Sequence, residues 1–490
     1  MFFDACQAIF VTRIYGNPLF CHKLSITAAI LTLCLAAPLS AADSYELTEK
    51  LQAKTRQIQT QLKVEGTMRI NPDGKKVRKF PMSLEGKYIA FERILGPSTA
   101  VRLYETAETE STVNDKPVSD KLPTVKRLIS VDTSGDRPLM FSPQYSLTRE
   151  ELEMISVPGN PGVLGKLLPT EPVAVEQEWS PSNQALAQAL GIDAINSQQV
   201  IATLTEVDAS GIAKISLEGT VSGAIQGVAT EIELKARINF DTRHRAITWF
   251  AASIKEDRSI GHAIPGFDVT AVVRTQISAT EGPADELTDV SLAKIDLQAN
   301  HGSEMLSFAG EEAGFRLLHQ RDWFAMAETP KQTVFRMVQD GELLAQANVN
   351  RLTNLKPGEQ MTIEGFEADV KKALNDRLGK VIDASQSVNS QGLRELRVTA
   401  IGSANKMPIT WIYYLVSDDS GRRYSIVFTY ETSLAEKFGQ ADRSFMSGFD
   451  LIDAPKPNIA DTDEKNSVAK SDDSEEPKRI SAKIKAVQKR

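Results

Sequence analysis

Apolar and polar residues alternate along most of this chain. In QVIATLTEVDASGIAKISLEGTVSG, TEIELKARINFDTRHRAITWFAASIKED and DVTAVVRTQISA the period is two, with turn signals at DASG and DTRH. Such segments bury one face and wet the other, which predicts a long antiparallel series. The same period begins at LKVEGTMRI, crosses the turn NPDG and runs on through KVRKFPMSLEGKYIAFERI, TAVRLYETAE and VKRLISVD. Ahead of it, YELTEKLQAKTRQIQTQL reads as a short lead-in with helical character.

Helical spacing interrupts the strands at two points. SLTREELEMIS predicts a helix that Ser146 or Thr148 can cap, with Glu150 and Glu151 at the positive end of its dipole. After Trp179, SPSNQALAQALG predicts a second short helix. Between them VPGNPGVLGKLLPTEPVAV is rich in Gly and Pro and reads as a loop or linker. Residues 43–282 therefore read as one large β-rich domain, with a strongly curved sheet or half-barrel as one form and a split near 165 as the alternative. The polar, weakly patterned stretch 283–304 reads as the connection to a second domain.

That second domain, 305–453, has strands at GFRLLHQ, TVFRMVQDG and LLAQANVNRL, then a helix through IEGFEADVKKALNDRLG. Phe366, Val370, Ala373, Leu374 and Leu378 fall on one stripe of that helix. KVIDASQSV, GLRELRVTAIGS, ITWIYYLVSD and RYSIVFTYE follow as strands, and SLAEKFGQADRSFMSGF as a final helix. There Ser433 and Glu436 have capping-box spacing, with Leu434, Phe438, Ala441, Phe445 and Phe449 as the apolar face. Trp411, Tyr413 and Leu415 alternate with Ile412, Tyr414 and Val416, so this strand is expected to be central and covered on both sides. The fold class is α+β: a large antiparallel β-rich N-terminal domain followed by an α/β sandwich domain.

The order of meander, helix, four-stranded antiparallel run and C-terminal helix resembles the PsbP-like fold. FRLLHQRDWF early, ITWIYYLV and RYSIVFTYETS late, and the Phe-containing RSFMSGF carry the likeness, over about residues 305–453. That family is named for an extrinsic subunit of photosystem II and includes many exported bacterial proteins. The resemblance implies a binding or assembly module and brings no catalytic residue with it. The N-terminal domain, with its LLPTEPVAVEQEW segment, is similar to exported β-rich bacterial proteins, some of which hold lipid in curved half-barrel sheets.

The first 42 residues change the picture of location. His22-Lys23 precede the apolar run Leu24–Leu35, and Ser40 and Ala42 fit the small-residue rule for cleavage before Asp43. A membrane anchor is the rival, but spanning a bilayer takes about 20 apolar residues and this run is shorter. The long leader is compatible with a translation start downstream of Met1. A periplasmic or secreted protein is expected, with no transmembrane span after cleavage. Cys6, Cys21 and Cys34 all lie in the leader, so the mature chain would lack disulfides, thiolate nucleophiles and cysteine metal sites.

Across 490 residues, 56 Lys+Arg face 64 Asp+Glu, a net charge of -8 that disfavours nucleic acid as a partner. The tail from Ala454 carries no aromatic residue and reads as disordered, acidic through Glu476 and basic after it. In Lys478–Arg490, Ile480, Ile484 and Val487 would share a helical face among lysines, the pattern of a weak membrane-surface contact.

Motifs for chemistry are sparse. NPGVLGKLL has the Gly165-Lys166 of a phosphate cradle, but Asn160 and Leu167 stand where a glycine and a hydroxyl are needed. No GxSxG or HExxH occurs, and the five histidines, His22, His244, His262, His301 and His319, never stand four apart. No catalytic residue, metal ligand or cofactor is therefore assigned. Arg243, His244 and Arg245 at one hairpin tip, and Arg422 and Arg423 in the SDDSGRR turn, are the candidates for contact with an anion or a partner. Glu150, Glu151 and Glu153 read as a surface helix start, and Trp179, Trp249, Trp323 and Trp411 as core. The expectation is a non-catalytic contact or assembly module at the cell envelope, its partner an envelope protein. The alternative is a carrier holding an apolar small molecule or lipid in the concave face of the N-terminal sheet. A hydrolase with a dispersed site is the third reading.

Overall fold

The computed structural model describes residues 43–50, 55–71 and 76–452. The signal-like segment, the centre of the NPDG turn and the tail from Ala454 lie outside them.

Strands dominate from the start: β1 (Ser44–Tyr45), β2 (Thr55–Ile70), β3 (Arg78–Ile94), β4 (Thr99–Val113), β5 (Lys116–Lys121), β6 (Leu128–Asp132) and β7 (Leu139–Phe141). A mixed stretch follows with α1 (Arg149–Ile155), α2 (Pro161–Leu164), β8 (Val173–Ala174), β9 (Glu178–Trp179) and α3 (Asn183–Leu190). Then come β10 (Ala194–Gln198), β11 (Ile201–Val207), β12 (Ile212–Ile225), β13 (Val228–Asp241), β14 (Ala246–Arg258) and β15 (Gly266–Ala279). Among the described residues, thirteen strands join in one sheet, β7-β6-β4-β3-β2-β15-β14-β13-β12-β11-β9, with β5 on β4 and β10 on β12. The pairings within it are antiparallel.

The alternating pattern decides which face is covered. Along β13, Ile232, Leu234, Ala236 and Ile238 are buried while Glu231, Glu233, Lys235 and Arg237 are exposed. The buried face packs on Val163, Leu164 and Leu167 around α2, and on Ala185, Leu186, Ala189 and Leu190 of α3. The helices therefore lie on the inner side of the sheet. Burying a Leu or Val of this layer stabilises by roughly 1.5–3 kcal/mol.

Contacts across this face show how far the sheet bends. β7 and β12 stand eight ladder steps apart, roughly 38 Å in a flat sheet at about 4.8 Å per step. Yet Arg137, just before β7, lies 3.0 Å from Asp193, just before the β10 that pairs with β12. Gln184 of α3 likewise reaches Asp136 at 3.2 Å. The sheet is thus curled into an open half-barrel with α1–α3 inside it.

Two sequence expectations are corrected here. The lead-in is not helical: residues 55–62 belong to β2, held on both sides by β3 and β15, and Ile58 and Thr60 face inward at period two. The Gly/Pro-rich stretch is no loose linker either. Asn160 caps α2 by accepting from Gly162 N, and the apolar residues that follow fill the half-barrel. The helix expected at 146–156 does form, with Thr148 and Glu151 in a complete capping box. The stretch 283–304 folds too, giving α4 (Asp289–Leu292) and α5 (His301–Glu304), with Leu287 and Leu292 buried against Val101 and Leu128.

The remaining elements are β16 (Leu306–Gly310), β17 (Phe315–His319), β18 (Trp323–Glu328), β19 (Gln332–Gln339), β20 (Glu342–Arg351), α6 (Ile363–Leu374) and β21 (Leu378–Val388). They continue with β22 (Arg394–Ala404), β23 (Met407–Ser417), β24 (Arg423–Glu431), α7 (Ala435–Phe438), α8 (Ala441–Ser447) and β25 (Phe449–Leu451). Seven strands form the sheet β18-β19-β20-β24-β23-β22-β21, and β16-β17-β25 form a smaller one. The whole is a β-rich α+β structure.

β23 is central, as its double-sided pattern predicts. Trp411 and Leu415 pack under Phe366, Val370 and Leu374 of α6. Ile412, Tyr414 and Val416 face Phe438 and Phe445 on the other side. The expected capping box at Ser433 is absent: α7 begins after Leu434 without a side-chain cap, and the Ser433 hydroxyl donates to Glu431 instead. Gly439, at φ 53°, splits the expected long helix into α7 and α8. The covering aromatic residues still reach the core.

Arginines donating to carbonyls tie the two large sheets together. Arg149 of α1 donates to the carbonyls of Arg321 and Trp323, Arg321 donates to Met140 O at 2.8 Å, and Arg336 donates to His262 O at 2.6 Å. At the same junction the turn after β12 meets the turn after β19. A Cβ on Gly227 would stand 1.9 Å from Gly341 N, so only glycine fits there.

Candidate functional site

Inside the half-barrel, charge occupies positions that the strand period assigns to core. Arg56, Glu92 and Arg102 stand directly opposite one another on β2, β3 and β4. Glu92 is fully buried, and both its oxygens are taken: Arg56 Nε donates at 2.7 Å and Arg102 Nε at 2.5 Å. Arg102 Nη2 also donates to Asn160 Oδ1 at 2.5 Å, joining β4 to the cap of α2. Burial alone would raise the Glu92 carboxyl, but the charges of Arg102 and Arg56 outweigh it and hold the group below the ordinary carboxylate value.

A small cavity of about 30 Å³ adjoins this row, lined by Ile58, Thr60, Tyr88, Tyr104, Ile155 and Gly159 among others. That is room for about one water. Burial raises the hydroxyl groups of Tyr88 and Tyr104, so neither is poised to ionise. With both Glu92 oxygens filled, the row is a brace and not a general base or a ligand set. Glu49, whose carboxyl burial raises despite accepting from Ile247 N, lies over the same interior. Along the strands of 199–278, residues of α2 and α3 pack against the inner face.

The residues singled out from sequence fall in separate places. The Arg243–Arg245 tip joins β13 to β14, where Asp241 accepts from the backbone of Arg243 and His244 and from the His244 ring at 2.7 Å. Arg243 donates to Ala209 O, and Arg245 pairs with Glu46. Arg422 pairs with Asp418 at 2.7 Å in the turn before β24, and Arg423 donates to Thr353 O at 2.6 Å. The two clusters sit on different sheets with different partners: His244 and Arg422 pair with the aspartate of their own turn, while Arg243, Arg245 and Arg423 tie their turns to neighbouring segments. The near-miss phosphate cradle is likewise structural: Lys166 donates to Thr133 O and Gln188 Oε1. Glu151 pairs with Lys126 at 2.7 Å. Trp323 and Trp411 are core, while Trp179 packs beside it and donates to Leu167 O. Among the described residues, no group of three or more His, Cys, Asp or Glu is placed to share a metal ion, and no helix is long and apolar enough to cross a membrane.

One surface stands out by geometry. The seven-stranded sheet ends in β18 on one side and β21 on the other. The β18 end is met by Arg149, but the outer edge of β21 pairs with no described strand. Nearly all of β21 is exposed, including Ile382 at 50% and Val388 at 65%. A bulge at Val381–Asp383 pushes Ile382 outward, and from Asp383 to Val388 the pairing with β22 is regular. The segment Ile382–Val388 carries no Lys, Arg or Pro, the residues that usually blunt such an edge. The sequence predicts this strand but not its terminal place. Its content of Ser, Ala and Gln was the available sign that no face of it is deeply buried.

No family model matches the chain, and no curated protein matches it. Among solved structures, it is similar to the Ran-binding protein Mog1p of Saccharomyces cerevisiae at 11% identity and a TM-score of 0.24, over 30% of this chain and 96% of that one. It is also similar to cyanobacterial PsbP from Synechocystis sp. PCC 6803 at 14% identity and a TM-score of 0.24, over 32% and 98%. The translocator domain of the autotransporter NalP from Neisseria meningitidis is matched at 9% identity and a TM-score of 0.12, over 77% and 88%. Likenesses this weak carry no argument about function.

Proposed function

We propose that this is an exported, non-catalytic contact or assembly module of the cell envelope, and that the open edge of β21 is its contact surface. The observation that carries the reading is the exposed terminal strand β21, whose outer edge pairs with no described strand and whose ladder is regular from Asp383 to Val388. An extended segment can add to such an edge through main-chain hydrogen bonds, with Ile382 and Val388 supplying apolar contact. The apolar run Leu24–Leu35 and the Ser40/Ala42 cleavage pattern support export to the periplasm or outside the cell. The PsbP-like reading of residues 305–453 agrees with an assembly role and supplies no chemistry.

The test is a photoreactive residue at Ala384, with one at Lys235 on the outer face of the half-barrel as control, in cells that make the protein. Protein adducts at 384 and not at 235 are expected. Equal or absent adducts would contradict the reading.

The carrier reading has one observation on its side: the large sheet curls around its helices and encloses a small cavity. It requires α2 and α3 to leave the interior, since about 30 Å³ cannot hold a lipid chain. Native mass spectrometry of protein taken gently from the envelope decides it, an apolar adduct supporting the carrier and a bare mass opposing it.

A further inference from the structure

We propose that the occupant of the β21 edge is a second copy of the same chain, paired antiparallel about a two-fold axis at Ser385. The inference rests on the contact-module reading and names the partner of that surface.

The argument is one of register. Opposite residues in an antiparallel pair point to the same face, so a perpendicular two-fold axis must set one residue against its own copy. With Ser385 on the axis, Ile382 stands opposite Val388 of the other copy, and Val388 opposite Ile382. These are the two large apolar side chains of β21 that are most exposed. Val388 lies on the face covered by α6, because Ala384, Gln386 and Val388 stand opposite Val398, Leu396 and Arg394 on β22, and Ile382 is the bulged residue that precedes this regular run. Ala384 then meets Gln386 on that same face. On the other face Asp383 meets Ser387, a carboxylate opposite a hydroxyl. No like charges face each other in the segment 382–388, and each contact occurs twice.

Other centres spoil the match. An axis at Ala384 puts Ile382 opposite Gln386 and Val388 opposite Lys380, while one at Asp383 sets two carboxylates face to face. The Ser385 register alone, of these three, joins the exposed apolar pair and keeps charges apart. It would extend the seven-stranded sheet continuously into its copy and pair an outer edge that no described strand occupies. A strand pair of this length gives a modest interface, so reversible association is expected.

Sedimentation of the purified mature protein, which on the export reading begins at Asp43 and carries no cysteine, reads the equilibrium over low to high micromolar concentration. A reversible dimer is expected. The double change I382K/V388K sets lysines opposite each other and should weaken association by about tenfold or more. I382K/V388E sets opposite charges together and should restore it. All these positions are exposed, and circular dichroism checks that the variants fold. Under mild oxidation, S385C should link two copies at least about tenfold faster than D383C, since only position 385 opposes itself.

A monomer at every concentration, a charge-paired variant no better than the double lysine, or equal cross-linking at 383 and 385 would overturn the proposal. Photo-adducts from Ala384 to other proteins, with a monomer in solution, would overturn self-pairing and leave the contact-module reading standing. Absence of any adduct would remove that reading as well.

Discussion

Arg137 and Asp193 meet at 3.0 Å across the open side of the large sheet, although β7, beside Arg137, is far in the hydrogen-bonded order from β12, the partner of the β10 beside Asp193. The pair marks the curl but does not cause it. The Arg137 side chain is 58% exposed, and exposed ion pairs contribute little. Packing of α2 and α3 on the inner face holds the strands in their curve. Arg137→Ala should therefore cost no more than about 1 kcal/mol by urea unfolding.

Glu92 should behave in the opposite way. Removing its charge leaves Arg56 and Arg102 buried without compensation, so Glu92→Gln should cost about 3–5 kcal/mol in the same measurement. Because the folded carboxyl is held below its unfolded value, its contribution is present above the unfolded value and is lost as pH falls through the folded one. The variant should lack that acid-side loss.

Glu49 provides the reverse sign within the same interior. Its folded carboxyl is raised, first by burial, so folding favours the protonated form. Its contribution is present below the unfolded value and is lost as pH rises through the folded value. Glu49→Gln should flatten this decline in stability, measured by thermal unfolding at stepped pH.

His319 gives a third pH signature, at the junction of the two sheets. Burial, reinforced by the nearby Arg149 charge, lowers its ring to about 4 despite its hydrogen bond to Gln320 O. A lowered histidine is neutral in the fold and charged in the unfolded chain just below 6.5. Stability should thus fall by about 3 kcal/mol as pH drops from 6.5 to 4, and His319→Phe should remove that part of the slope if the ring packs alike.

His244, by contrast, pairs only with Asp241 of its own surface turn. His244→Ala should change stability by less than about 1 kcal/mol, since the ring is 74% exposed and its Asp241 partner keeps its backbone donors. A larger loss on thermal unfolding would show that the 241–245 tip helps hold the 44–50 segment through Arg245 and Glu46.

Much of this architecture is written in the period of the sequence. β12 to β15, the α6 stripe and the double-sided β23 follow from which positions are apolar, because that is what decides burial. Even the brace leaves a trace: Arg56, Glu92 and Arg102 share parity with Ile58, Ala90 and Tyr104, so charge sits where the pattern demands core. Strand order leaves no such trace. β2 pairs with β15 across some two hundred residues, and nothing local in TRQIQTQL reveals a partner that overrides its helical appearance. The open edge of β21 is hidden for the same reason, since an end strand differs from an inner one by what is missing beside it. The Gly/Pro-rich segment misleads because Asn160 and Pro161 start a helix as readily as they end one.

Amide hydrogen exchange over residues 382–388 most directly judges whether this edge is a contact surface. The outward amides of β21 should exchange rapidly in dilute purified protein and become protected at high protein concentration or on addition of the protein's own envelope extract, while β13 stays unchanged. Exchange that is equally fast in all three conditions would show that nothing adds to this strand, and the contact reading would fall with it.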